Sequence, residues 1–326
     1  MTAAPLAIAL DIGGTKIAST TVDASGTLVT ERSKLPTPAH EGASAVLDQM
    51  ARAIAEQRAG LDPSRLAAIG IGTAGGVDTR TGTIVSSSET FSGWLGTDVV
   101  AGLRARLPWA SEVPIHVQND VDAHAVGESW LGAGAGAASM LMLAVGTGIG
   151  AAFCVDGRVQ RGAHHMAGEV GRLRVDFADG LVIHPTPGPQ AFEAEAAGPA
   201  IAAAYRALGG SREADRGQDV VKLAANGDVL ADRVIRLLGA RVGRVLSWLT
   251  LTLDPEVIVM GGGVPTPKSV WWGEMEDELR AGLPDALADV PVVRARLRNS
   301  AALLGAARDA FRLAGVPTPE STEENR

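Results

Sequence analysis

Small and β-branched residues run from Ala7 to Leu10 and again from Ile17 to Val22, and the polar turn Asp11-Ile12-Gly13-Gly14-Thr15-Lys16 separates them. This pattern predicts two strands joined by a hairpin turn. Thr27 to Leu35 predicts a third strand region. Gly42 to Arg58 sets Ala45, Val46, Met50, Ala53 and Ile54 on one helical face. A strand at Leu66–Ile71 follows, ending in Gly72-Thr73-Ala74-Gly75-Gly76, which reads equally as a ligand-facing loop or a plain glycine turn. Pro114 to Gln118 predicts a strand that runs through Asn119-Asp120 into helical Val121–Leu131.

The opening arrangement then recurs about 135 residues on: apolar Ser139–Val145, the turn Gly146-Thr147-Gly148-Ile149-Gly150, and apolar Ala151–Val155. A repeated supersecondary unit speaks for architecture more strongly than either copy alone. Val234, Leu237, Leu238, Val242, Val245, Leu246 and Leu249 stand at helical spacing, and Asp254-Pro255 ends that helix. The buried-strand run Val257–Met260 leads into Gly261-Gly262-Gly263. Arg206 to Gly227 reads as broken helix, Trp271-Trp272 as packing residues opening another helix, and Asn299 to Leu313 as an apolar-periodic helix. Pro317 to Arg326 reads as a solvated tail.

Glycines without side chains let backbone N–H groups approach an anion, and Thr15 and Lys16 add a hydroxyl and a charge. The first turn is thus a candidate phosphate cradle, although an ordinary β-turn meets the same pattern. Asp120 lies at a strand-to-helix junction, where a carboxylate serves either as a helix cap or as a general base.

The motifs LDIGGTK, Asn119-Asp120, the second turn GTGIG, Ala167-Gly168-Glu169-Val170-Gly171 and DPEVIVMGGGV occur in one order across nearly the whole chain. In these motifs the chain resembles the ROK family (repressor, open reading frame, kinase) of the actin-like ATPase and sugar kinase superfamily. The resemblance implies a two-lobed α/β, ribonuclease H-like fold with the active site in the interlobe cleft. It divides the chain into a smaller lobe of residues 1–118 plus 300–316, a larger lobe of 119–299 and a tail of 317–326.

It also implies ATP and Mg²⁺ as cofactors. Asp120 takes the role of catalytic base, and Asn119 bonds a substrate hydroxyl. Asp11 positions Mg²⁺ through water. Gly13, Gly14, Thr15, Lys16, Gly146, Thr147, Gly148, Gly261, Gly262 and Gly263 hold the nucleotide. Gly75, Thr90, Glu169, Arg172 and Glu193 line the sugar site with Asn119 and Asp120. Asp122 and Glu195 read as cap or surface residues.

The chain departs from the family in three places. Thr90 stands where an asparagine is usual, and Arg172 stands where a histidine contacts the sugar and ligates zinc. The family's CxCGxxGC run is replaced by His184-Pro185-Thr186-Pro187-Gly188-Pro189-Gln190-Ala191-Phe192, without cysteine. A tetrahedral zinc site requires thiolates and imidazole, so no zinc is expected. A substitute set of His184 with Asp176, Asp179 or His165 is the remaining metal option, and the prolines offer stiffening without metal. Arg172 either confers a new specificity or pairs with Glu169 or another acid.

Composition narrows the partners. A net charge of −8 and a pI near 5.3 speak against nucleic acid, which requires a clustered basic face. The roughly ten residues before Asp11 leave no room for a repressor's helix-turn-helix. They also lack a signal peptide's pattern, and no apolar run reaches the roughly 18 residues of a membrane helix, so a cytoplasmic protein is expected. The one cysteine, Cys154, reads as a buried thiol. The resemblance adds a homodimer. The expected activity is phosphorylation of a hydroxyl, the primary one, of a hexose in the manner of a glucokinase. The alternatives are a specialised acceptor (kanosamine, N-acetylmannosamine or a cyclitol) or a sugar sensor without turnover.

Overall fold

The computed structural model describes residues 4–87, 90–184 and 188–319. Strand β1 (Leu6–Ile12) pairs antiparallel with β2 (Lys16–Asp23), and Gly13 N–H closes the turn on Lys16 O at 3.0 Å. The third strand, β3 (Ser33–Pro36), is shorter than the expected Thr27–Leu35; earlier in that stretch only Leu28 bridges to Val22. Helix α1 (Ala43–Arg58) buries Val46, Met50, Ala53 and Ile54 of the expected face, while Ala45, at its first turn, is only half-buried. Next come β4 (Leu66–Thr73), the small hairpin of β5 (Gly76–Asp78) and β6 (Thr83–Ser86), α2 (Val99–Arg106), β7 (Ile115–Asn119) and α3 (Asp120–Leu131). Sheet order is β3-β2-β1-β4-β7, with β1, β4 and β7 parallel.

The second half opens with β8 (Ser139–Val145), β9 (Ile149–Val155) and β10 (Arg158–Val159), followed by the small pair β11 (Arg174–Val175) and β12 (Gln190–Ala191). Helices α4 (Phe192–Ala196), α5 (Gly198–Ala207), α6 (Gly217–Ala225) and α7 (Val229–Leu253) lead to β13 (Val257–Gly261). Helix α8 (Val270–Ala281), β14 (Val292–Arg294) and α9 (Ala301–Leu313) complete the chain's elements. The second sheet runs β10-β9-β8-β13-β14. Trp271 and Trp272 are buried in its apolar core.

Two compact units result. One comprises the chain through Ala137, Cys154–Ala167 and Arg296 onward; the other comprises Ala138–Phe153 and Gly168–Ala295. The division therefore falls at Ala137/Ala138 and not at the expected 118/119. Packing is the reason. Helix α3 lies so close to α9 that a Cβ at Gly305 would sit 1.7 Å from Ala123 O, and one at Gly127 would sit 2.1 Å from Ala301 O. Two facing glycines let the backbones touch, and this seam holds α3 in the first unit.

In β1, alternation sorts the two faces. Ile8, Leu10 and Ile12 join the core with α1, while the smaller Ala7 and Ala9 admit Leu303, Leu304, Ala307 and Phe311 of α9. The start of the expected tail is also held: Trp130 Nε1 donates to Pro319 O at 2.9 Å, and the rest of it lies outside the described residues.

Candidate active site

In the first unit the parallel strands end together. The register sets Asp11 opposite Gly72 and Thr73 opposite Asn119, so Asp11, Asn119 and Asp120 gather at the carboxyl ends of β1 and β7, where parallel α/β sheets place ligands. Asn119 caps α3: its Oδ1 accepts from the N–H groups of Val121 (2.8 Å) and Asp122 (3.1 Å). Its Nδ2 donates to Gly75 O at 3.0 Å, which brings the glycine loop to the same junction. Burial, and then the negative charge of Asp120, push the Asp11 carboxyl up to about 6 against the pull of Lys16.

The Asp11–Lys16 turn is braced by Thr37, whose Oγ1 donates to Gly13 O at 2.7 Å. Thr15 and Lys16 are exposed. A Cβ on Gly14 would lie 2.6 Å from Thr90 Cγ2, so the expected phosphate turn and sugar loop meet here. Ser88 and Glu89 of that loop lie outside the described residues.

Asp122 is not the expected cap or surface residue. It is buried, and its Oδ2 accepts from Arg161 Nε at 3.0 Å. Burial pushes it up to about 6 although Arg161 opposes the shift. His165 belongs with this unit and not with His184. It has a left-handed φ of 56°, and its Nε2 lies 3.3 Å from Asp78 Oδ1. Cys154 is buried, and that burial raises its thiol to about 12, which leaves it inert.

In the second unit three glycine segments converge. Gly198 N–H, at the start of α5, donates to Gly146 O at 2.8 Å, and Val264 N–H donates to Val145 O at 3.0 Å. Gly262 has φ +82°, and a Cβ there would sit 2.1 Å from Val145 O. These contacts set the Gly146–Gly148 turn beside Gly261–Gly263, with Thr147 and Gly263 exposed. This small-residue cradle suits a polyphosphate. Glu193, at the start of α4, accepts from Ile149 N–H at 2.8 Å and so stands against the same turn.

Glu169 precedes the 3-10 turn Val170–Arg172, and Arg172 Nε donates to its Oε2 at 3.0 Å. The pairing offered for Arg172 is thus present, and it sets a guanidinium beside the carboxylate expected to meet the acceptor.

The region that resemblance assigns to zinc is built differently. Arg241 of α7 is buried and binds Asp179 through Nε (2.7 Å) and Nη2 (2.8 Å). Its Nη1 reaches Glu195 Oε2 at 2.5 Å, and Nη2 also donates to Leu181 O. Glu195 is therefore a buried ion-pair partner and not a surface residue. His184 Nε2 lies 3.0 Å from Ala194 O, and Asp176 accepts from Ala178 N–H within its own turn. Among the described residues no group of three or more His, Cys, Asp or Glu could hold a metal ion. The donor set does not fit tetrahedral zinc, and Pro185, Thr186 and Pro187 lie outside the described residues. Sequence reading missed Arg161 and Arg241, because neither lies in a motif.

Comparison with known proteins agrees with this architecture. The profile of the ROK family matches residues 7–310, and the chain belongs to that family. It is 30% identical to a glucokinase of Streptomyces coelicolor over 93% of this chain and 96% of that protein. Among solved structures, a ROK hexokinase from Thermus thermophilus superimposes with a TM-score of 0.78 at 33% identity, covering 94% of this chain and 98% of the other. A ROK glucokinase from Streptomyces griseus, in complex with glucose and AMPPNP, gives 0.74 at 29% identity, covering 94% and 99%. The fold class is thus the two-lobed actin-like one of ROK sugar kinases. No helix among the described residues is long and apolar enough to cross a membrane.

Proposed function

We propose that this protein is an ATP-dependent sugar kinase, transferring the terminal phosphoryl group to the primary hydroxyl of a hexose, with glucose as the first acceptor to test. The observation that carries this reading is the junction of β7 and α3, where Asn119 locks the backbone around Asp120 and Asp11 lies close enough to feel its charge.

Phosphoryl transfer asks a protein mainly for positioning and charge neutralisation. In this reading Asp120 accepts the proton of the attacking hydroxyl, and Asn119 and Glu169 orient the acceptor. The Gly13–Lys16 turn, the Gly146–Gly148 turn and Gly261–Gly263 hold the nucleotide through backbone N–H groups. Mg²⁺ bound to phosphate oxygens would neutralise their charge. Asp11 fits such an ion, since Mg²⁺ takes hard oxygen donors and commonly keeps several waters beside one or two carboxylates. Asp11's raised pKa marks a carboxylate that gains from a nearby cation. The family resemblance extends the proposal to a homodimer, and the N-terminal sequence, without a signal peptide's pattern, extends it to the cytoplasm.

A second reading, a specialised acceptor such as kanosamine, N-acetylmannosamine or a cyclitol, is favoured by the Arg172–Glu169 ion pair, which alters the charge offered to the acceptor. The test is ADP release with ATP and Mg²⁺ across glucose, N-acetylmannosamine, kanosamine and a valiolone-type cyclitol. Turnover on glucose supports the first reading, turnover confined to another acceptor supports the second, and ATP binding without turnover on any leaves a sensor.

A further inference from the structure

Arg161 lies outside every motif, yet its side chain makes three hydrogen bonds around the Asn119-Asp120 junction. Its Nε donates to Asp122 Oδ2 at 3.0 Å, and its Nη2 donates to Gln118 Oε1 and, at 3.1 Å, to Asp309 Oδ2. Gln118 immediately precedes Asn119-Asp120, and Asp122 follows two residues after Asp120. One guanidinium therefore holds both flanks of the strand-to-helix junction and anchors them to α9.

The anchors are themselves fixed. Gln118 Nε2 donates to Gly305 O at 3.4 Å, and Asp309 Oδ1 accepts from Arg312 Nη1 at 2.8 Å. Arg312 also donates to Gly157 O at 2.8 Å, so the segment bearing Arg161 is pinned to α9 a second time. That segment, Cys154–Ala167, continues directly into Gly168-Glu169 of the other unit.

We propose that Arg161 is a positioning residue for the phosphoryl transfer, holding the Asn119–Asp120 junction in register so that the Asp120 carboxylate meets the acceptor hydroxyl. It touches no reacting atom itself. The proposal rests on the kinase reading above. The chemistry suits arginine specifically: a planar fork reaches three acceptors at once, whereas a lysine ammonium on a single stem cannot span them. Small misplacement of a catalytic group costs rate before it costs binding.

The experiment compares the unmodified protein with Arg161→Lys, Arg161→Met and Gln118→Met, measuring thermal midpoint, kcat, and KM for both ATP and the acceptor. Arg161→Lys keeps the charge that Asp122 and Asp309 require, and Gln118→Met cuts one tether without changing charge, so either keeps the test open if Arg161→Met fails to fold. The expected result is a fall in kcat of about tenfold in Arg161→Lys, deeper in Arg161→Met and shallower in Gln118→Met, with both KM values within about twofold. Folded Arg161→Lys and Gln118→Met with unchanged kcat would overturn the proposal, whatever their thermal midpoints, and so would a loss seen only in KM. If the unmodified protein turns over no acceptor, the kinase reading fails and takes this proposal with it; turnover by the unmodified protein separates the two failures.

Discussion

Arg241 grips Asp179 with a two-point fork, Nε to Oδ2 at 2.7 Å and Nη2 to Oδ1 at 2.8 Å, in the part of the chain where the family resemblance would place zinc. The guanidinium also lies 4.9 Å from the ring centroid of Phe177, so a cation on α7 organises a loop that has no thiolates. Although burial opposes ionisation, the hydrogen bonds from Arg241 and Leu181 hold Asp179 below the usual carboxylate range. Arg241→Met should therefore leave Asp179 and Glu195 without their cation and destabilise the protein by about 3–5 kcal/mol at neutral pH, read by urea unfolding. Asp179 stabilises the fold above its unfolded pKa, and this contribution fades as pH falls through its lowered folded value. The gap between variant and parent should then narrow in acid. A cost under about 1 kcal/mol at neutral pH would show that the fork is dispensable.

Asp120→Asn keeps the shape of the junction and removes the base. It should lower kcat by about 10²–10⁴-fold while ATP binding, followed by calorimetry, stays unchanged. Retained turnover would remove Asp120 from the role of base.

Asp11 shows the opposite sign from Asp179. Its folded pKa, about 6, exceeds the ordinary carboxylate value, so the folded state binds the proton more tightly and stability falls as pH rises from about 4 to about 6. Asp11→Asn removes that cost. Without nucleotide or Mg²⁺, the variant should be more stable than the parent by about 1–2 kcal/mol at pH 7.5, with no gain near pH 3.5. Its turnover should be lost over the same pH range. Thermal midpoints at the two pH values, with ADP release at the higher, check both halves.

Gly262→Ala places a methyl against Val145 O at a left-handed backbone position. A loss of about 1–3 kcal/mol is expected, together with a KM for ATP raised about tenfold and a less affected KM for the acceptor. An equal rise in both KM values would argue against a nucleotide role for this turn.

Arg172→Ala frees Glu169 from its ion pair. If the pair tunes acceptor choice, the ratio of kcat/KM between glucose and an amino sugar should move by at least about fivefold, with the ATP KM steady. If Arg172 only forms a surface pair with Glu169, its guanidinium being more than half exposed, the ratio stays fixed and stability changes little.

The two strand-turn-strand units, the amphipathic α1 and α7, the glycine turns and the Asn119-Asp120 junction are all legible along the chain. Each is specified by neighbours a few residues apart, through hydrophobic period, turn chemistry and helix capping. The division into units is not. It depends on the α3–α9 seam, where Gly127 meets Ala301 and Gly305 meets Ala123 across a long stretch of sequence. Likewise nothing local in Asp122, Glu195, Arg161 or Arg241 distinguishes a solvated charge from a buried one. Arg161 finds partners 39, 43 and 148 residues away, and Arg241 finds Asp179 at a distance of 62. A charged side chain is stable inside only where a counter-charge or hydrogen-bond donors reach it from elsewhere in the chain, and that arrival is decided by tertiary packing.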